Sequence, residues 1–119
     1  MATILLAEDD ESMRLFLTRS LERVGHHVHS VADGFEALPY IANGDLDLLV
    51  TDIVMPGMDG IELARRASIE IPELKVIFIT GFAAVALRNR TVTRKNAKVL
   101  SKPFHLRELV DEINKVLAA

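Results

Sequence analysis

The chain predicts an α/β protein built on a doubly wound, five-stranded parallel sheet of order 2-1-3-4-5. Three observations carry this. Short apolar runs recur at about 3–7, 47–51, 75–79 and 98–101, with a less apolar fifth near 27–31. Helical periodicity falls between them, so strands and helices alternate. The best of the runs, Ile4-Leu5-Leu6-Ala7 and Val76-Ile77-Phe78-Ile79, are apolar without alternation. That pattern fits strands covered by helices on both faces. Right-handed crossovers leave few topologies. In the 2-1-3-4-5 order the first and third strands are neighbours at the switch point, where ligands bind beyond the strand ends.

The elements follow in order. After the first strand, Met13, Phe16, Leu17, Leu21 and Val24 recur at steps of three and four and define one helix face, stopped by Gly25. The second strand ends before Asp33-Gly34. A helix near 35–43 contains Pro39, which removes one backbone donor and should kink the helix or delay its start. Asp59 is a good N-cap for a third helix running to about Ser68. Pro72 falls in the turn before the fourth strand. The stretch 82–97 should hold a short or distorted fourth helix: Phe82 to Leu87 is apolar throughout, and Thr91-Val92-Thr93 is a poor helix former. A fifth helix over about 105–117 presents Leu106, Leu109, Val110, Ile113 and Leu117 on one face.

At 119 residues, half of them hydrophobic, this reads as a single globular domain. A net charge of −3 argues against nucleic acid or an anionic membrane as the main partner. Without cysteine there is neither a disulfide framework nor a thiolate metal site. No secretory signal or membrane-spanning run is visible, so the cytoplasm is the expected compartment. Nothing follows the last helix, and an output domain in cis is not expected.

The strand ends carry the chemistry. Glu8 and Asp9 end the first strand, Asp52 the third, Thr80 the fourth and Lys102 the fifth. Any one alone reads equally well as a solvated cap or a surface ion pair. Together, on one edge of one sheet, they form a set that can hold a divalent cation and accept a phosphoryl group. Converging carboxylates repel one another, and a cation relieves the repulsion. All-oxygen ligands on a small, hydrated site suit Mg2+. A carboxylate such as Asp52 can act as nucleophile and form an acyl phosphate.

Glu8-Asp9, the segment from Asp52 to Gly60, Thr80-Gly81 and Lys102-Pro103-Phe104 resemble the receiver domain of two-component response regulators, a CheY-like, flavodoxin-like fold. The likeness runs from Ile4 to the last helix. It implies that Asp52 is the phosphoacceptor. It also implies that Glu8 and Asp9 are the acid pair, with Asp9 a direct Mg2+ ligand beside Asp52 and the carbonyl of Val54. Thr80 and Lys102 would bind the phosphoryl group, and Gly81 would let their loop move. Receivers usually carry an aromatic switch residue three positions before the lysine. Here that position is Val99, which cannot make the same rotameric move. Asp10, a third acid, is placed outside the site by the register of Met13-Arg14.

The order from Thr80 to Leu87 and the tail from Lys98 to Val110 resemble the CpdR-type stand-alone receivers of alphaproteobacteria. That likeness implies a histidine phosphotransferase or histidine kinase as phosphodonor and the ClpX/ClpXP protease system as output partner. The expected partner face joins the 82–97 segment to the fifth strand and last helix, with Phe82, Leu87, Arg88, Arg90 and Lys95 as contact residues. The basic run Arg88, Arg90, Arg94, Lys95 and Lys98 reads as a solvated or protein-docking face. The rival reading is a Mg2+-dependent phosphatase-type hydrolase with an Asp nucleophile. Such enzymes place a second acid two residues after the nucleophile, and here that position is Val54. His26, His27 and His29 are not expected to bind metal, because strand alternation splits neighbouring side chains between faces. His105 is expected to serve a helix end. The terminal Leu117-Ala118-Ala119 resembles a ClpX recognition tag only weakly.

Overall fold

A computed structural model describes residues 1–81 and 97–118. Nine elements follow in chain order: β1 (Thr3–Ala7), α1 (Glu11–Arg23), β2 (His27–Val31), α2 (Gly34–Asn43), β3 (Leu48–Asp52), α3 (Gly60–Glu70), β4 (Lys75–Thr80), β5 (Ala97–Ser101) and α4 (Leu106–Ala118). The five strands form one parallel sheet in the order β2-β1-β3-β4-β5, as the sequence predicts. Four helices are present among the described residues. The helix expected within 82–97 lies outside them, as do Phe82, Leu87, Arg88, Arg90 and Lys95.

The sheet has an apolar layer on each face because its central strands carry runs of consecutive apolar residues, at 4–7, 48–50 and 76–79. Leu5, Ala7, Leu49, Val76 and Phe78 point toward α2 and α3, where Ala37, Ile41, Leu63, Ala64 and Ala67 cover them. Ile4, Leu6, Leu48, Val50, Ile77 and Ile79 point the other way, onto Leu17 and Leu21 of α1 and Leu109, Ile113 and Val116 of α4. Each fully buried Leu, Ile or Phe contributes about 1.5–3 kcal/mol relative to exposure.

Aspartates start three of the helices. Asp10, Asp33 and Asp59 each accept a hydrogen bond from the backbone N–H three residues on, at 3.0, 2.9 and 2.8 Å. The fourth helix uses the reciprocal bond: Glu108 Oε1 accepts from the His105 N–H at 3.0 Å, so His105 serves a helix end as expected.

Three expectations are corrected. Phe16 and Val24 are not on the buried face of α1; both are more than half exposed, and Met13, Leu17, Ser20 and Leu21 form the packed stripe instead. Val24 lies past the helix end, and Phe16 sits at the flank of that stripe. The second helix does not start late. Asp33 caps it and Gly34 is its first residue, with Pro39 inside the helix. The third strand reaches Asp52, and the third helix runs on to Glu70. Among the described residues, no helix is long and apolar enough to cross a membrane.

Candidate functional site

The site sits at the C-terminal edge of the sheet, where β1, β3, β4 and β5 end side by side. The Glu8 backbone N–H donates to the carbonyl of Val31 at 3.1 Å, which carries the β1–β2 ladder one residue beyond β1. The Glu8 carboxylate is fully buried. Its Oε2 accepts from the Asp10 N–H at 3.1 Å and its Oε1 from Lys102 Nζ at 2.9 Å. Asp52, last residue of β3, is also buried, and its Oδ2 accepts from the same ammonium at 2.9 Å. Asp9 stands exposed beside them. One carboxylate oxygen from each of Glu8, Asp9 and Asp52 lies within 4.8 Å of the others.

Lys102 is brought there by the backbone. Its N–H donates to the carbonyl of Thr80 at 2.8 Å, which ties the end of β5 to the end of β4. One ammonium therefore bridges two buried carboxylates. Burial on its own lowers the Lys102 pKa; the hydrogen bonds it donates to Asp52 and Glu8, with their charges, outweigh this and hold the ammonium above its ordinary range. Burial pushes the Glu8 carboxyl up, against the hydrogen bonds from Lys102 and the Asp10 N–H. The Asp52 charge adds to that rise. Two acids share one cation, with a third acid at the rim. This leaves the cluster in excess of negative charge and fits a hard divalent cation with oxygen ligands.

The structure brings Glu8, Asp9, Asp52 and Lys102 together as the sequence predicts. Thr80 is fully buried at the end of β4. Asp10 is outside the cluster, engaged in capping α1. Val54 is in the loop after Asp52 with its side chain about half exposed. Val99 is half-buried, in register with Phe78, and packs toward the α2–α3 side. Among the described residues a Cβ at Gly81 would meet no neighbour, and its φ lies outside the left-handed region. The described conformation therefore does not itself require glycine there.

Two supporting residues escaped the sequence reading. Arg14 Nη1 donates to the carbonyl of Glu8 at 2.9 Å and steadies the turn that aims the acid pair. A cation in the first turn of a helix opposes the macrodipole, and that mismatch was the signal available. Gly60 is the second. Its N–H donates to the Ile53 carbonyl at 2.8 Å, closing the loop that leaves Asp52. A Cβ there would collide with the Asp52 carbonyl oxygen. The same loop needs Gly57, whose φ is +75°.

Comparison with known proteins agrees with this geometry. Residues 4–114 match the family model for the response regulator receiver domain. The chain is 57% identical over 119 residues to the response regulator receiver protein CpdR of Brucella abortus (strain 2308), covering 100% of this chain and 99% of that protein. It is 36% identical over 118 residues to the sensor kinase CckA of the same organism, covering 98% of this chain but only 12% of the kinase. Among solved structures it resembles the response regulator TrrA of Thermotoga maritima in complex with Mg(2+)-BeF, with a TM-score of 0.86 and 27% identity over 98% of this chain and 99% of that one. With the fold, the acid cluster and the family match in agreement, the chain belongs to the response regulator receiver domain family.

Proposed function

We propose that Asp52 is the phosphoacceptor of a two-component phosphorelay and that its phosphorylation controls protein–protein binding. The observation that carries this is the Lys102 ammonium held at 2.9 Å from both Asp52 and Glu8, beside Asp9. In this reading Asp52 attacks the phosphorus of a phosphohistidine. A P–O bond forms as the P–N bond breaks, and the imidazole leaves with the electron pair and takes up a proton. Lys102 and Thr80 bind the phosphoryl oxygens and spread the charge that develops on them. Glu8, Asp9, Asp52 and the Val54 carbonyl would hold Mg2+, which supplies charge neutralisation at the transferring group.

The donor is a histidine phosphotransferase or a histidine kinase. The similarity to the CckA receiver and to CpdR supports a relay of that type. The output is adaptor binding to the ClpX/ClpXP protease system, supported by the full-length likeness to CpdR and stronger when Asp52 is unphosphorylated. The face that binds joins β5 and α4 to the 82–97 segment.

The test is incubation with a small phosphodonor and Mg2+, followed by intact mass. One phosphoryl adduct is expected in the wild type, dependent on divalent cation, and none in Asp52→Asn or Asp9→Ala. Many turnovers of an aryl phosphate would instead show a hydrolase. Magnesium should also raise the melting temperature, by the equivalent of about 1.4 kcal/mol at tenfold excess over Kd. An equal rise in Asp9→Ala would place the cation elsewhere.

A further inference from the structure

His27 and His29 are the first and third residues of β2, the edge strand of the sheet. Residues two apart on a strand share a face, so the alternation that separates His27 from Val28 brings His27 and His29 together. The imidazole centroids are 4.9 Å apart at an interplanar angle of 86°. The His29 ring also stacks on Tyr40 of α2, with centroids 4.7 Å apart and planes 29° from parallel. His27 is exposed.

We propose that His27 and His29 form a two-imidazole site for a borderline transition-metal cation of the Cu2+, Ni2+ or Zn2+ class. Two imidazoles bound to one ion through metal–nitrogen bonds of about 2.0–2.1 Å have centroids about 4.5–5.2 Å apart at ligand angles between square and tetrahedral. The observed separation of 4.9 Å falls inside that window. Tyr40 stacks on the His29 ring and so stands next to the site. The exposed side of His27 leaves the remaining positions to water. Imidazole nitrogen selects these cations over Mg2+, which prefers oxygen. The site is separate from the acid cluster: His27 pairs with Thr3 and His29 with Leu5, toward the opposite end of β1 from Glu8. It does not rest on the proposed phosphoacceptor chemistry.

Tyr40 is the only tyrosine, and the chain has no tryptophan, so tyrosine emission reports from the site itself. The experiment titrates the untagged full chain with Cu2+ while following that emission, with Zn2+ as a competitor. Quenching should saturate near one equivalent and be reversed only by a large excess of Zn2+. His27→Ala, which leaves the Tyr40 stack intact, should shift the midpoint upward by more than about tenfold. The His27→Ala, His29→Ala double variant should abolish saturable quenching, with far-UV circular dichroism confirming the fold. Asp9→Ala and His26→Asn should titrate as wild type. An unchanged midpoint in His27→Ala overturns the proposal. So does quenching that never saturates, or its loss in His26→Asn, which would put the metal at the amino terminus.

Discussion

Gly60 presses its backbone against the carbonyl oxygen of Asp52 so closely that no side chain fits between them. The first turn of α3 is thereby locked onto the strand end that carries the central carboxylate. Gly60→Ala should cost about 1–3 kcal/mol or more, because backbone must move to admit the methyl group. The variant should melt lower, and the denaturation midpoint should fall without a large change in slope. Adduct formation at Asp52 should slow in the same variant. Wild-type stability would show that α3 can shift freely.

Lys102→Met removes the cation that Glu8 and Asp52 share. In metal-free buffer at neutral pH we expect a loss of about 1–3 kcal/mol, below the range for a fully buried pair because Lys102 is partly exposed. Glu8 is already held above its ordinary value of 4.5 by burial, and the variant should raise it further. An acid with a raised folded pKa supports the fold while protonated and loses that support as the pH rises through the folded value. The deficit should therefore shrink on acidification and grow toward alkaline pH. Urea midpoints measured across pH would show this. A deficit independent of pH would mean that Lys102 acts through packing alone.

Val54, two residues past Asp52, carries an apolar, half-exposed side chain that cannot orient an attacking water. Val54→Asn supplies a donor and an acceptor at that position. Loss of the acyl phosphate should become several-fold faster, followed as decay of the mass adduct after the phosphodonor is removed. Slower decay would show that water reaches the phosphorus by another route.

His26 Nδ1 accepts the backbone N–H of Ala2 at 3.2 Å and so pins the start of β1. Burial lowers its pKa from 6.5, and the charged amino terminus adds to the effect. A base with a depressed folded pKa binds its proton more readily when unfolded. Stability tied to it is thus complete above the unfolded value and is lost as the pH falls below it. His26→Asn keeps an acceptor without titrating. Wild type should lose stability relative to this variant as the pH drops from about 7.5 to 5.5. Parallel curves would show that His26 does not titrate differently on folding.

Much of this protein was determined locally. Apolar runs named four of the five strands, Asp59 marked the start of the third helix, and polar residues at strand ends named Glu8, Asp9, Asp52 and Lys102. These features are legible because each depends on neighbours a few residues away, through alternation, capping and turn formation. Tertiary structure decided the rest. That one ammonium bridges residues 94 and 50 positions distant follows from the strand order. Arg14 and Gly60 matter through contacts with Glu8 and the Asp52 strand end, and Phe16 is exposed because α1 turns another stripe to the sheet. His27 and His29 meet only when the chain is extended, and Tyr40 joins them only when α2 packs back on the edge strand. Sequence specifies which residue types stand at each element's end. Which of them come within bonding distance depends on how layers pack, and packing is a property of the whole chain.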